Sequence, residues 1–164
     1  YTQPSMYVVE AVLADLLKAR GQQLDFVAGH SLGEYAALYT AGVFSFEDGL
    51  RLIKRRSELM DGASDGMMAA LLGFDRAELE AQLQQTPDVV LANDNNSGQV
   101  VISGTPAAVE ALLGSVKTKR AVKLNVSGAF HSPLMAGAAN EFQTELEKVP
   151  FATAQIGVLS NVDP

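Results

Sequence analysis

The stretch Phe26-Val-Ala-Gly-His-Ser-Leu-Gly-Glu-Tyr-Ala-Ala-Leu38 sets Ser31 between Gly29 and Gly33, directly after a short apolar run. A bare G-x-S-x-G arises by chance in roughly one chain in twenty at ordinary Gly and Ser usage, so its setting must carry the reading. Phe26-Val27-Ala28 reads as a short buried strand, and Leu32 to Ala41 as a helix stopped by Gly42. Between strand and helix, glycines permit a sharp turn and close packing, and the serine hydroxyl projects clear of the backbone. The helix aims its first N–H groups and the positive end of its dipole at the same spot. The Leu32 N–H is then placed to bind a developing oxyanion. A tight turn with a capping serine is the plainer reading; the nucleophile reading is favoured.

The composition sets outer bounds. A chain of 164 residues, 48% hydrophobic and 19% charged, has the length and balance of one globular domain with a real core. It holds no run of eighteen apolar residues, so no membrane span is expected. The start, YTQPSMYVVE, lacks the basic and apolar regions of a secretory signal and an initiator Met, which points to a fragment. With no cysteine, thiol catalysis and disulfides are excluded, and two histidines are too few for a His-based metal site. A net charge of −7 argues against nucleic acid as a partner. An acidic partner must meet a local patch, either Arg51/Lys54/Arg55/Arg56 or Lys117/Lys119/Arg120/Lys123.

Along the chain, Pro4 to Arg20 reads as a helix with apolar spacing through Val8, Val12 and Leu16. Ser45-Phe-Glu-Asp48 is a capping box opening a helix to about Met60. From Gly66 the texture changes: a strand in MMAALLG, a helix capped by Asp75, two strands in VVLANDNNSGQVVIS, a helix capped by Thr105, and a strand in AVKLNVS. That βαββαβ order is the ferredoxin-like unit. A helix from about Pro133 to Lys148 and a strand in IGVLSN then resume an α/β pattern. The expected fold class is α/β, with residues 1–65 and 128–164 forming a core and residues 66–127 an inserted ferredoxin-like subdomain.

A serine nucleophile needs a base. His30 is adjacent, but on such a turn its side chain points elsewhere, and it reads as structural. His131 sits in the loop SGAFHSPLM, before a helix that Ser132 caps and Pro133 opens; a loop histidine is commonly a surface residue, yet beside an elbow it becomes the favoured base. No acid stands out as a third member. Placing residues at about 100° intervals round the helix from Phe46 puts Leu50, Ile53, Ser57 and Met60 on one face, with Arg56 inside that apolar arc beside Leu52 and Met60. A guanidinium there costs several kcal/mol if unpaired. Two readings stand level: an internal ion pair with a carboxylate such as Glu34, or bidentate reception of a substrate carboxylate.

GHSLGEY, DGLRLIKRRSELM, NNSGQVVISG, KRAVKLNVSGAFHSPLM and SNVD, in this order and spacing, resemble the malonyl-CoA:acyl carrier protein transacylases of fatty-acid synthesis. The resemblance covers essentially the whole chain. It implies a hydrolase-like parallel-sheet core carrying the ferredoxin-like insertion. It also implies Ser31 as the nucleophile that takes malonyl as an ester, His131 as general acid/base, Arg56 as the partner of the malonyl carboxylate, and the Leu32 N–H as an oxyanion donor. Met60 and Phe130 would line the acyl pocket, Phe130 leaving little room for an α-methyl branch. Lys119 and Arg120 would meet coenzyme A phosphates or the acidic carrier. Malonyl-CoA and acyl carrier protein are the implied partners, in a cytoplasmic monomer with no resident cofactor or metal and a coenzyme A thioester as substrate. The family's N-terminal strand, with its G-Q-G-x-Q turn, and its C-terminal segment have no counterpart here, which implies an incomplete catalytic domain. An acyltransferase module of a polyketide synthase, an α/β-hydrolase esterase or thioesterase, and a non-catalytic fragment docking a carrier through Lys117, Lys119, Arg120 and Lys123 are the competing readings.

Overall fold

Residues 2–63, 65–126 and 128–162 are described by the computed structural model. The chain divides into two units, residues 1–58 with 141–164, and residues 59–140. The second unit is wider than the insertion expected at 66–127, whose last residue, Ser127, lies outside the described residues.

In the first unit, α1 (Thr2–Ala19) has Pro4 in its opening turn, where a missing N–H costs nothing. Its buried residues are Tyr7 and Ala11, not the line through Val12 and Leu16, which are each 49% exposed. Tyr7 sets this rotation. Its ring stacks on Phe46 at 5.7 Å between centroids and 21°, and a β-carbon on Gly49 would sit 2.0 Å from its hydroxyl. Gly49 lies in α3 (Phe46–Asp61), so a glycine on one helix makes the slot for the other helix's ring. The serine cap holds, without the reciprocal bond of a full box being shown: the Asp48 N–H donates to Ser45 Oγ at 3.1 Å, and the Asp48 carboxylate accepts from the Ser45 hydroxyl at 2.8 Å.

Strand β1 (Phe26–Ala28) leads to α2 (Gly33–Thr40). After α6 (Ala136–Leu146), which a 3₁₀ turn at Pro133–Met135 precedes, comes β6 (Gly157–Leu159). The two strands pair in parallel, Val27 opposite Val158 and Ala28 opposite Leu159. Both valines pack on a cluster of Ala41, Val43, Phe44, Leu52 and Val149. The expectation of a buried strand needs correcting: Phe26 is 67% exposed, because among the described residues β1 has one hydrogen-bonded neighbour and its alternate side chains have nothing to cover them.

The second unit contains β2 (Met67–Phe74), α4 (Arg76–Gln85), β3 (Val89–Asn96), β4 (Gln99–Gly104), α5 (Pro106–Ser115) and β5 (Thr118–Lys123). The strands form an antiparallel sheet in the order β3-β4-β2-β5. Alternation along β2 and β4 gives the sheet two apolar faces. Ala69, Leu71, Val100 and Ile102 meet Leu79 of α4 and Val109 and Leu112 of α5. Met68, Ala70 and Val101 face the other way, with Phe130 against them. Asp75 and Thr105 cap α4 and α5 as expected, accepting from the N–H of Glu78 and Ala108. The last strand lies earlier than the expected AVKLNVS: β5 is an edge strand whose Lys119 and Arg120 point into solvent, and charge on an edge blocks unwanted strand pairing.

Among the described residues no helix is long and apolar enough to cross a membrane. Because Ile102 is fully buried between sheet and helices, Ile102→Ala is expected to lower stability by about 2–5 kcal/mol in urea unfolding. The exposed Glu80→Ala should change it by less than about 0.5 kcal/mol. Equal effects would contradict this placement of the core.

Candidate functional site

The chain turns from β1 into α2 through Gly29, His30, Ser31 and Leu32. Ser31 holds φ at 52°, the left-handed region that a side chain with a β-carbon seldom occupies. A β-carbon on Gly29 would sit 2.0 Å from the Gly33 carbonyl carbon and oxygen, so only glycine lets the strand pass this close to the helix start. Three short-range bonds tighten the turn: Gly33 N–H to His30 O at 3.0 Å, Glu34 N–H to Ser31 O at 3.2 Å, and Tyr35 N–H to Leu32 O at 3.0 Å. Leu32 is buried, and its N–H belongs to the first turn of α2, where amides point out of the helix end.

A second segment closes over this turn. The carboxamide of Asn161, just past β6, accepts from the Ser31 N–H at 2.7 Å and donates to the Gly29 carbonyl at 2.5 Å. Its own backbone N–H donates to Glu34 Oε1 at 3.3 Å.

Arg56 approaches from α3. Its Nη2 donates to Ser31 Oγ at 2.9 Å, and its Nη1 donates to Gln3 Oε1 on α1. The guanidinium carbon lies 5.8 Å from the centre of the Tyr35 ring, and that ring stands edge-on to Phe142 at 6.3 Å. Burial pulls the Arg56 pKa down, and the neighbouring Tyr35 opposes the shift; an arginine so perturbed is still a cation at any physiological pH. Burial pushes the Tyr35 hydroxyl up, against the pull of Arg56. Within its unit Arg56 pairs with no carboxylate among the described residues. Glu34, the sequence's candidate for that pair, faces Asn161. Its neighbours Arg51 and Arg55 do pair, with Asp48 at 2.6 Å and Glu141 at 3.1 Å, as solvent-facing arginines should.

Of the residues singled out in the sequence, Ser31, Leu32 and Arg56 lie together in the first unit. Met60 is half-buried one turn beyond Arg56 along α3. In the second unit His131 is exposed with φ at 58°, followed by Ser132, whose Oγ donates to Ala129 O at 2.6 Å and accepts from Leu134 N–H at 3.3 Å. Phe130 is half-buried, and Lys119 and Arg120 are exposed on β5. Among the described residues no cluster of three or more His, Asp and Glu could hold a metal ion. Sequence reasoning missed Gln3, Tyr35 and Asn161. Nothing in the sequence marked Gln3, while Tyr35 lay inside GHSLGEY and Asn161 inside SNVD, stretches that stood out without suggesting a role for either residue.

Such an elbow, faced by a cation with no carboxylate partner in its unit, can present a hydroxyl nucleophile to a substrate that carries a negative charge. Comparison with known proteins bears on this. The malonyl CoA-acyl carrier protein transacylase of Synechocystis sp. (strain ATCC 27184 / PCC 6803 / Kazusa) is 60% identical over 163 residues, which is 99% of this chain and 56% of that protein. The crystal structure of the Synechocystis sp. PCC 6803 transacylase superposes with a TM-score of 0.96, over 99% of this chain and 56% of the other. A malonyl-transacylase solved in complex with a type II PKS acyl-carrier protein is 33% identical with a TM-score of 0.89, covering 98% of this chain and 55% of that one. The chain thus spans about half the length of the relatives it matches. These structures share its α/β fold with one parallel and one antiparallel sheet. The acyl transferase domain model matches residues 1–163, and the chain belongs to that family.

Proposed function

We propose that this protein transfers the malonyl group of malonyl-CoA to the phosphopantetheine thiol of acyl carrier protein through a malonyl ester on Ser31. The observation that carries the reading is the 2.9 Å bond from Arg56 Nη2 to Ser31 Oγ. A three-carbon malonyl group carried on the serine oxygen would bring its free carboxylate to a guanidinium this near, and the names of the relatives favour malonyl as that group. An esterase or thioesterase has no use for a buried arginine at its nucleophile.

In the first half-reaction Ser31 Oγ attacks the thioester carbonyl while His131 takes its proton. The Leu32 N–H stabilises the oxyanion, and the thiol of coenzyme A leaves with the proton that His131 returns. In the second, the carrier's thiol attacks the ester with His131 as base, and Ser31 is restored. Arg56 holds the carboxylate in bidentate fashion throughout, which keeps the acyl group over the space an attacking water would need. Met60 and Phe130 line the acyl pocket, and Lys119 and Arg120 meet the phosphates of coenzyme A or the acidic carrier. No resident cofactor or metal is required, and the cytoplasm is the site of action. We read residues 66–127 as a ferredoxin-like subdomain on a hydrolase-like core at 1–65 and 128–164; the βαββαβ order and the β3-β4-β2-β5 sheet support the first part. The relative solved with a type II PKS carrier favours acyl carrier protein as the acceptor and leaves polyketide synthesis as the second setting.

Mixing the full-length protein with malonyl-CoA should give a malonyl ester on Ser31, seen by mass spectrometry, that passes to carrier thiol and is absent in Ser31→Ala. Release as free malonate in place of transfer would identify a hydrolase; the absence of any adduct would refute the nucleophile. His131→Ala should slow both half-reactions by about 100- to 10,000-fold with malonyl-CoA binding little changed. Parent-like rates of both half-reactions in His131→Ala would remove His131 from the chemistry.

A further inference from the structure

The elbow serine is tied down by a residue that the acyl-transfer reading does not use. Parallel pairing sets Ala28 opposite Leu159, and two residues past the end of β6 Asn161 meets the turn that leaves β1. Asn161 then spans the turn with two bonds of opposite polarity. Its Oδ1 accepts from the Ser31 N–H at 2.7 Å and its Nδ2 donates to the Gly29 carbonyl at 2.5 Å, on either side of His30. A carboxamide is the side-chain group that accepts at one end and donates at the other without a charge. The residue itself is anchored at 3.3 Å from its backbone N–H to Glu34 Oε1 on α2.

We propose that Asn161 is a positioning residue for the nucleophile. Its carboxamide fixes the Ser31 backbone in its left-handed conformation and so aims Ser31 Oγ at the point where Arg56 Nη2 meets it. The inference deepens the acyl-transfer reading and rests on it for the reaction, though not for the geometry. A non-glycine φ of 52° persists only where its surroundings over-determine it. The short-range bonds of the turn begin at the Gly33 N–H, downstream of Ser31; the bond that fixes Ser31's own amide comes from Asn161. Loss of the carboxamide lets Ser31 relax toward ordinary backbone angles, carrying Oγ away from the attack line. A misplacement of about 1 Å costs about 100-fold in rate.

The test compares Asn161→Ala and the isosteric Asn161→Asp with the parent in the full-length protein. Two readouts are followed: single-turnover malonyl loading from malonyl-CoA, and labelling of Ser31 by a fluorophosphonate probe. The expected result is a fall of about 100-fold in the maximal loading and labelling rates of both variants, with the KM for malonyl-CoA within about twofold. Asn161→Asp has a further signature. A protonated carboxyl regains a donor for the Gly29 carbonyl, so its rate relative to the parent should climb as pH is lowered from about 8 to about 5.5. The ratio for Asn161→Ala should stay flat. Glu34 on α2, which accepts from the Asn161 N–H, and the charged and titratable groups nearest Ser31, His30 in the turn and Arg56 on α3, are present in all three proteins and cancel in the ratio. Parent-like loading and labelling rates in Asn161→Ala, a change in KM alone, or loss of folding by circular dichroism in both variants would each overturn the proposal. If the parent labels with fluorophosphonate yet accepts no malonyl, the acyl-transfer reading fails and the labelling rates still decide the role of Asn161.

Discussion

A half-buried guanidinium bonded to a serine hydroxyl is the constraint around which the first unit is arranged. Removing a cation from water costs several kcal/mol even after relaxation, and a fold recovers that with a partner charge, with hydrogen bonds, or with an aromatic face. Arg56 takes the last two. Gln3 and Ser31 accept from its two terminal nitrogens, and its guanidinium carbon lies over the Tyr35 ring. A cation over an aromatic ring recovers about 0.5–2 kcal/mol, less than a desolvated carboxylate partner would supply. The site therefore keeps an unspent attraction for an anion beside the Ser31 hydroxyl, which is the physical basis of the selectivity proposed for a carboxylated acyl group.

The second constraint is the elbow. Ser31 stands in a backbone conformation that would not persist in isolation, and the structure supplies three reasons for it: the close pass of Gly29 against Gly33, the tight bonds leading into α2, and the carboxamide of Asn161. The two strands that deliver these parts are only three residues each. Their parallel register nonetheless sets residues some 130 positions apart in the chain at one level. The helices round them are fixed by ring packing at Tyr7, Phe46 and Gly49. The second unit reaches stability by a different route, a four-stranded sheet buried under two helices on one face.

Much of this was legible in the sequence, for reasons that differ by residue. The elbow could be read because glycine spacing, an apolar run before it and a helix after it are local signals. Arg56 could be read because helical periodicity shows a charge on the wrong face. Caps at Ser45, Asp75 and Thr105 were visible for the same local reason. The face of α1 could not be read, since Tyr7 is chosen by the slot at Gly49 and not by the spacing of valines and leucines. Strand β5 was misplaced because an edge strand takes lysine and arginine where alternation of apolar residues was sought. Gln3, Tyr35 and Asn161 enter the site through contacts between segments distant in sequence, and no spacing rule marks them.

The most direct measurement of the central claim is the ratio of malonyl to acetyl loading from the two coenzyme A thioesters onto Ser31, in the parent and in Arg56→Ala. If the guanidinium receives the substrate's carboxylate, malonyl loading should fall by about 100-fold while acetyl loading holds or rises. Malonyl loading left intact in the variant, with no gain for acetyl, would contradict the account.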